Sequence, residues 1–400
     1  MNAVSKQAPS AEWIAELRQR YPTERYIDRA LTRKMQHRAD PPYCPQTEVT
    51  VLKQLNDFLK NRTAKPIIIS DVRALAGGGS KEQFSFVLKE QGQDQENKVR
   101  QMVLRMQPAE STVETHRLRE FQVLNCVQKT LPVPETYWVD DEGLEFCQPA
   151  LIYELCPGVN RMPGSGLVSL EFNGSFSPQL RPYIKAQFID YLAKMATFDF
   201  SQSDMSAFDV PLVNSTQGVT RAINCWDRVW HEDSVESNPL ITLAAHWLRE
   251  NAPPLDHCSI VHGDYRQGNF LFDPETGRIT AILDWELAFL GDRHHDLAWL
   301  LMPMFVEKNE AGEDLVAGLC SREEFLSEYE QRCRMPIDGN KLAYYEIFCF
   351  WTAFIMAHGT SQRCVLGQKT HHDIVVSGNS MAVDFLLPTL ATALSKRMQA

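Results

Sequence analysis

The sequence predicts an α+β fold in which the strand-rich and the helical segments are separated along the chain. Between residues 66 and 106, short apolar runs alternate with turn residues, as in antiparallel strands. Residues 178–251 and 323–397 instead carry apolar side chains at helical spacing. Strand-like runs return at 260–284, where the turn Asp273-Pro274-Glu275-Thr276-Gly277 separates two of them.

The composition indicates a globular protein. A chain of 400 residues suits two or three domains, or one bilobal enzyme with a shared cleft. Its 40 basic against 51 acidic residues give a net charge of −11, which argues against general binding to nucleic acid or to a membrane surface. The acidic balance is compatible with a cationic substrate, although solubility alone explains it. The sequence leaves the oligomeric state open.

The cysteines and the N-terminus predict a cytoplasmic protein. The ten cysteines include no C-x-x-C pair and no Cys/His set at zinc spacing. The first residues lack the basic and apolar regions of a signal peptide. The most apolar stretch, 347–357, is too short to span a bilayer.

Three regions are expected. Residues 1–64 form a helical N-terminal region. Its helices are capped by Ser10 and Thr47, and we expect them to pack against the first lobe. Residues 65–156 form that lobe, with strands near 67–75, 84–88 and 98–106 and a helix from Arg117. Residues 157–400 form the second lobe. Between the first two strands, Gly77, Gly78, Gly79 and Ser80 could lay backbone N–H groups over phosphates.

The segment 260–301 carries the chemistry. An apolar run leads into Asp264, a short polar loop contains Asn269, and a second apolar run ends on Asp284. Carboxylates at strand ends beside a loop amide are suited to hold a divalent metal and a base together, which is the chemistry of phosphoryl transfer.

This segment resembles the catalytic core of the aminoglycoside phosphotransferase-like kinases. The shared motifs are His262-Gly263-Asp264, Asn269, Asp284-Trp285-Glu286, and Gly291-Asp292 followed by Asp296-Leu297-Ala298. The sequence of these motifs is also similar to that of a subgroup of kinase-like domains that are fused to acyl-CoA dehydrogenases or act beside them. The resemblance follows the motif order over 66–360 and implies a two-lobed protein-kinase-like fold. In it a small antiparallel β lobe with one helix joins a larger, mainly helical lobe.

The resemblance assigns the catalytic residues. It implies that Asp264 accepts the proton of a substrate hydroxyl and that Asn269 and Asp284 bind Mg²⁺. It suggests that Glu286 contacts a second metal ion or the substrate. At the third strand Arg105 stands where protein kinases have a phosphate-binding lysine, and Glu120 on the next helix would be its partner.

The nucleotide site and its supporting residues follow from the same resemblance. The glycines 77–79 and Ser80 would cover the phosphates of ATP, and backbone groups around Glu154 and Leu155 would bind adenine. Lys98 is a rival for the part given to Arg105.

Several polar residues are expected to be structural. His262, Asp292 and Asp296 are interpreted as supports of the catalytic loop, and Arg266 either holds Asp264 or meets an anionic substrate group. The acidic residues between 227 and 236 are interpreted as a solvated helix face.

The predicted function is that of an ATP- and Mg²⁺-dependent kinase for a hydroxyl of a small molecule. A hydroxyacyl-CoA or hydroxy acid, an aminoglycoside or macrolide, and a choline- or sugar-like alcohol all stay open as acceptors, as does GTP in place of ATP. The alternative is an inactive nucleotide-binding scaffold, which only the arginine at position 105 favours. A protein kinase is disfavoured because no Ala-Pro-Glu segment follows Asp284.

Overall fold

Helices dominate the N-terminal region. The structure is a computed structural model that describes residues 6–63, 65–75, 80–91, 98–161, 176–309, 311–378 and 383–399. Helix α1 spans Ala11–Arg20, α2 spans Arg25–Gln36 and α3 spans Glu48–Lys60. Side chains cap α1 and α3 as predicted, because Ser10 accepts from the N–H of Trp13 and Thr47 from that of Thr50.

The small lobe is built on a five-stranded antiparallel sheet, as predicted. Strands β1 (Ile67–Ala74), β2 (Glu82–Glu90), β3 (Lys98–Met106), β4 (Thr136–Asp140) and β5 (Ala150–Glu154) lie in the order β1-β2-β3-β5-β4. Helix α4 (Arg117–Val127) connects β3 to β4. The predicted glycines, Gly77, Gly78 and Gly79, lie outside the described residues.

The two faces of this sheet have different neighbours. Helix α3 covers one face, where its Leu55 and Phe58 pack with Phe84 and Leu104. Side chains alternate along a strand, so the residue after Leu104, Arg105, points to the opposite face. That face meets α4 and the large lobe, and it therefore carries the functional side chains.

The large lobe is mainly helical, with short strand pairs beside the cleft. Its helices are α5 (Arg181–Ala196), α6 (Gln217–Asp233), α7 (Pro239–Glu250), α8 (His294–Leu300), α9 (Arg322–Cys333), α10 (Gly339–Phe354), α11 (Ser361–Leu366), α12 (Asp373–Gly378) and α13 (Val383–Met398). Its strand pairs are β6 (Ser259–Val261) with β9 (Phe289–Gly291), β7 (Phe270–Phe272) with β8 (Ile279–Ile282), and β10 (Val306–Lys308) with β11 (Asp314–Val316).

The first two helices bind the large lobe, which corrects one expectation. Of the three described N-terminal helices, α3 packs on the sheet. Helix α1 packs on α2, and the Tyr21 hydroxyl lies 3.2 Å from the His231 ring on α6. Helix α2 was not predicted, and its Lys34 is buried 2.9 Å from Asp233 of α6. The N-terminal region therefore contacts both lobes. Helix α3 packs on the sheet, and α2 carries charges complementary to those at the end of α6.

The acidic group at the end of α6 is not the solvated face that the sequence suggested. The side chains of Glu232 and Asp233 are fully buried. Lys34 and Arg228 pair with Glu232 at 2.9 and 2.7 Å, and Arg38 pairs with Asp233 at 2.6 Å. Buried carboxylates need such partners. Arg228 lies one helical turn before Glu232, but Lys34 and Arg38 come from a distant part of the chain, so local sequence could not reveal them.

The nearly apolar segment near the C-terminal end lies in the core, as predicted. Helix α10 continues into a π-helical turn at Ile355–Thr360, and its Trp351 is fully buried. Within the described residues, the structure contains no helix with the length and apolarity required to cross a membrane.

Candidate active site

The loop between β6 and β7 is held by a carboxylate from α8. Asp296 accepts hydrogen bonds from the backbone N–H of His262 at 2.8 Å and of Gly263 at 2.9 Å. The N–H of Asp264 donates to His262 Nδ1, so Nε2 carries the ring proton and donates to the Leu283 carbonyl at 3.0 Å. His262 and Asp296 thus fix the backbone around Asp264.

Asp292 supports the same region from beneath. Its Oδ1 accepts from the backbone N–H of His294 at 3.0 Å and lies 2.6 Å from Nδ1 of that ring. Its Oδ2 lies 3.3 Å from Lys341 Nζ on α10. These contacts anchor the start of α8, which carries Asp296.

Asp264 lies in a largely buried pocket of hydrogen-bond donors. Its Oδ1 accepts from Arg266 Nε at 2.9 Å and from Trp299 Nε1 at 2.8 Å, and its Oδ2 accepts from Asn269 Nδ2 at 2.7 Å. Burial raises the pKa of Asp264; Arg266 opposes this rise, whereas Asp284 adds to it. The carboxyl group therefore has a stronger tendency to take a proton than an exposed aspartate.

Asn269 and Asp284 have contacts that suit oxygen ligation. The Asn269 Nδ2 also donates to the Asp264 carbonyl at 2.9 Å, so the amide oxygen is the atom that can face a cation. Asp284 follows β8 with φ at 66°, a left-handed conformation that is uncommon for aspartate and often marks functional sites. Its side chain is 30% exposed, and its Oδ1 lies 2.5 Å from Arg105 Nη2.

Arg105 lies at the centre of an ionic cluster. Its guanidinium contacts Glu120 at 3.1 Å, Asp284 at 2.5 Å and Glu286 at 3.2 Å, and its side chain is 4% exposed. Burial opposes its charge, but the three carboxylates outweigh this effect and hold the pKa of Arg105 well above its ordinary value. Lys98 is exposed at the other end of β3. The structure therefore brings Arg105, and not Lys98, to Glu120.

Glu286 is surrounded by cations. Its Oε2 lies 2.8 Å from Lys81 Nζ and 3.3 Å from Arg117 Nη2, and its Oε1 accepts from Ser80 Oγ at 2.5 Å. Burial alone would raise the pKa of Glu286, but Lys81, Arg105 and Arg117 outweigh it and lower that pKa far below its ordinary value.

Three residues of the site were not predicted from the sequence. Lys81 directly follows the glycine stretch, and its buried ammonium also donates to Ser111 Oγ at 2.8 Å. Arg117 begins α4 and contacts both Glu120 and Glu286. Trp299 lies three residues after Asp296. Their charge or size gave no sign of these contacts; only the position of Lys81 beside the glycines offered a signal.

The segment predicted to bind adenine connects the two lobes. The N–H of Glu154 donates to the Glu135 carbonyl at 2.8 Å, and that of Leu155 donates to the Gln101 carbonyl at 2.9 Å. Both donors are thus used within the sheet. Any adenine contact at these two residues would have to use their carbonyl oxygens.

A cavity of about 110 Å³ adjoins the catalytic loop on the side of Trp299 and Gly263. We call it the α2–α6 cavity, because α2 and α6 form two of its walls. Helix α10, residues 112–115 and residues 286–290 also contribute to the lining. Its apolar lining includes Ile27, Leu31, Ala222, Val229, Phe348 and Met356.

The carboxylates in the walls of the α2–α6 cavity are paired within the protein. Glu24 lies 2.7 Å from Arg119, Asp209 lies 2.6 Å from Arg25, and Asp233 and Glu286 pair with the lysines described above. A fifth, Glu114, is buried, which raises its pKa to about 7. The cavity thus presents little uncompensated negative charge.

Comparison with known proteins agrees with this arrangement. Residues 71–333 match the sequence pattern described as the phosphotransferase enzyme family. Mouse acyl-CoA dehydrogenase family member 10 is 25% identical over 291 residues, covering 70% of this chain and 26% of the relative. Human acyl-CoA dehydrogenase family member 11 is 25% identical over 293 residues, covering 69% and 35%. The chain thus spans only about a quarter to a third of the length of these two curated relatives.

Solved structures share the fold. A Ralstonia eutropha protein assigned as an aminoglycoside phosphotransferase has a TM-score of 0.60 at 23% identity, covering 86% of this chain and 98% of its own. Plasmodium vivax ethanolamine kinase has a TM-score of 0.52 at 10% identity, covering 92% and 96%. At such identities the likeness shows the fold alone, which is the two-lobed kinase-like fold. Because the family pattern covers more than half of the chain, the protein belongs to the phosphotransferase enzyme family.

Proposed function

We propose that this protein transfers the γ-phosphoryl group of ATP to a hydroxyl group of a small molecule. The observation that carries the proposal is the environment of Asp264. Its carboxylate accepts hydrogen bonds from Arg266, Trp299 and Asn269, the charge of Asp284 acts on it, and burial raises its pKa. A positioned carboxylate with raised basicity is suited to accept a proton.

Asp264 acts as the base in the proposed step. The acceptor oxygen forms a bond to the γ-phosphorus while the bond from that phosphorus to the bridging oxygen of ADP breaks, and the hydroxyl proton passes to Asp264. The Oδ2 atom receives one hydrogen bond whereas Oδ1 receives two, so Oδ2 has more capacity for the proton.

Asn269 and Asp284 would hold Mg²⁺. The residues fit this ion, because an amide oxygen and a carboxylate are hard ligands and both amide hydrogens of Asn269 are used on Asp264. When bound, Mg²⁺ supplies neutralisation of phosphate charge. The left-handed backbone at Asp284 turns this residue out of β8 at the cleft.

Arg105, held by Glu120, would orient the nucleotide phosphates in place of a lysine. Its Nη2 atom, now on Asp284, is the group that would donate to a phosphate oxygen. Ser80 and the glycines 77–79 would cover the phosphates, and the carbonyl groups at Glu154 and Leu155 would face adenine.

Glu286 receives a different role from the one predicted. Three cations surround its two oxygens, which disfavours a further metal ion at the same place. We therefore assign it the task of holding Lys81, Arg105 and Arg117 beneath the phosphate site, and its predicted metal role is not part of the proposal.

The α2–α6 cavity favours a hydroxyacyl-CoA or hydroxy acid over an aminoglycoside. An aminoglycoside is a polycation and needs carboxylates that are not already neutralised, but four of the five acids of this cavity are paired with lysine or arginine. Burial raises the pKa of the fifth, Glu114, to about 7, which weakens its negative charge. The curated relatives named as acyl-CoA dehydrogenase family members support the same choice.

The test is a transfer assay with γ-labelled ATP and Mg²⁺. Hydroxy acids, hydroxyacyl-CoA thioesters, aminoglycosides and macrolides are offered separately, and phosphorylated products are identified by mass spectrometry. We expect transfer to a hydroxyacyl acceptor, loss of transfer in Asp264→Asn, and full activity in Asp190→Asn, which alters an exposed acid on α5.

Two outcomes would contradict the proposal. Tight ATP binding without transfer to any acceptor would indicate the inactive scaffold instead. Transfer that Asp264→Asn leaves unchanged would exclude Asp264 as the base. Preferred transfer to an aminoglycoside would keep the reaction but overturn the choice of acceptor.

A further inference from the structure

The N-terminal helix α2 contributes to a cavity that reaches the catalytic base. Ile27 and Leu31 of α2 line the α2–α6 cavity, although both precede the residues that match the family pattern. Phe348 and Met356 line it from beyond the other end of that match. The cavity is therefore built in part by segments of the chain that lie outside the family pattern.

Trp299 connects this cavity to Asp264. The indole ring is part of the cavity lining, and its Nε1–H donates to Asp264 Oδ1 at 2.8 Å. The ring is held in place by Phe305, with centroids 5.7 Å apart, and by His295, with centroids 6.4 Å apart and nearly parallel planes. A ligand in the cavity would touch the same ring that orients the base.

Two buried polar atoms in the cavity lining have no hydrogen-bond partner within the part of the chain that the structure describes. They are Thr112 Oγ1 and His295 Nδ1, and both residues line the cavity. The nearest acid to the His295 atom is Asp296, at 3.9 Å, which is too far for a hydrogen bond. Buried polar atoms are nearly always paired, so unpaired ones in a cavity indicate a missing polar group.

We propose that the α2–α6 cavity binds the aliphatic chain of the phosphoryl acceptor, with Thr112 and His295 meeting a carbonyl or hydroxyl group of that chain and Trp299 acting as the positioning residue for Asp264. This inference rests on the proposed function and names where its acceptor binds. The ligand class is an uncharged, mostly apolar chain, because much of the lining is apolar and four of the five wall acids are paired with lysine or arginine. An apolar cavity of comparable size, about 150 Å³, is known to hold benzene.

The binding test uses straight-chain primary alcohols from butanol to decanol as probes. They are titrated by calorimetry into the full chain, with no acceptor present, in magnesium and a non-hydrolysable ATP analogue. Affinity should rise by about fourfold for each added methylene until the cavity is full, as expected for burial of one methylene.

A pair of variants on α6 locates the binding. Ala222→Phe fills the cavity and should weaken octanol binding by about tenfold or more, whereas Thr220→Phe, which lies on the same helix outside the cavity lining, should change it less than about twofold. Affinity that does not depend on chain length, or an equal effect of both variants, would overturn the site.

Trp299→Phe tests the positioning role. The ring remains as cavity wall but the N–H donor is lost, so octanol affinity should stay within about twofold while kcat falls about tenfold. The KM for the acceptor should stay within about twofold, so that the loss falls on kcat, because the cavity wall is kept while the orientation of Asp264 is disturbed. An unchanged kcat, or a loss that falls on KM instead, would refute the positioning role.

The site and the reaction can fail separately. Alcohol binding with the predicted chain-length dependence, but no transfer to any acceptor, would support the cavity and contradict the proposed function. Transfer to a hydroxyacyl acceptor with no response to Ala222→Phe would support the function and overturn the cavity as the acceptor site.

Discussion

Two carboxylates on neighbouring loops, Asp264 and Glu286, have opposite electrostatic environments. Both are largely buried, which by itself raises the pKa of each. Asp264 has one cation beside it and keeps a raised pKa, whereas Glu286 has three and its pKa is lowered. Groups whose environments separate their pKa values in this way have different tasks. In the proposed reaction, Asp264 would take the proton, whereas Glu286 would stay charged and hold the cations around it.

The largest expected effect comes from Asp264→Asn. It should reduce kcat for phosphoryl transfer by about 10³-fold, because general base catalysis typically contributes factors of that order. The free energy of unfolding should change by less than about 1 kcal/mol, since burial already disfavours the charged form. Steady-state kinetics and urea unfolding measure the two effects. Strong destabilisation with retained activity would remove the distinction between the two acids.

Glu286→Gln, in contrast, should lower the free energy of unfolding strongly. It leaves Lys81, Arg105 and Arg117 with one carboxylate fewer, and breaking a buried pair costs about 3–5 kcal/mol. The folded-state pKa of Glu286 is lowered, so its stabilising effect is present above the ordinary carboxyl pKa and is lost as pH falls below it. Urea unfolding at neutral and acidic pH should show a difference from wild type that shrinks with acidity.

The control for this variant is Glu16→Gln, an exposed position on α1, which should leave the free energy of unfolding within about 0.5 kcal/mol of wild type. An equal loss in both variants would mean that the cations around Glu286 do not depend on it.

Arg105→Gln should raise the KM for ATP by at least about 30-fold. The substitution removes a buried cation that Glu120, Asp284 and Glu286 hold, and truncating one partner of a buried charge pair costs about 2 kcal/mol or more. Lys98→Gln is the matched comparison, because Lys98 is exposed and outside this cluster, and it should change the KM less than about twofold. The opposite ranking would assign the phosphates to Lys98.

Arg266→Gln should have the smallest effect and should act on Asp264 alone. The guanidinium 2.9 Å from Oδ1 favours the charged form and so limits the rise of the Asp264 pKa. Its removal should shift the acidic limb of the kcat/KM profile upward by about 1 pH unit. A limb that stays in place would indicate that Arg266 serves an anionic substrate group, which was the other interpretation of this residue.

Much of the architecture could be predicted, because it depends on local patterns. The alternation of apolar residues predicted β3 over the residues where it occurs, and the caps at Ser10 and Thr47 are present. The spacing of the motifs also predicted that Asp264, Asn269 and Asp284 lie close together. Helix α2 was missed, although Ile27, Leu31 and Met35 repeat every four residues along it. Its polar composition concealed that pattern.

The sequence by itself predicted the fold class, the family and the segment proposed to react, because strand alternation, helical spacing and short motifs are local properties. Only the tertiary structure decided which charges surround each acid. Lys81 and Arg117 reach Glu286 from 205 and 169 positions away, and Lys34 reaches Asp233 from 199. The tertiary structure also decided that α2 packs on the large lobe and closes a cavity beside Trp299. The physical reason is that the pKa of a buried group depends on which charges surround it in space, and no local pattern encodes those distances.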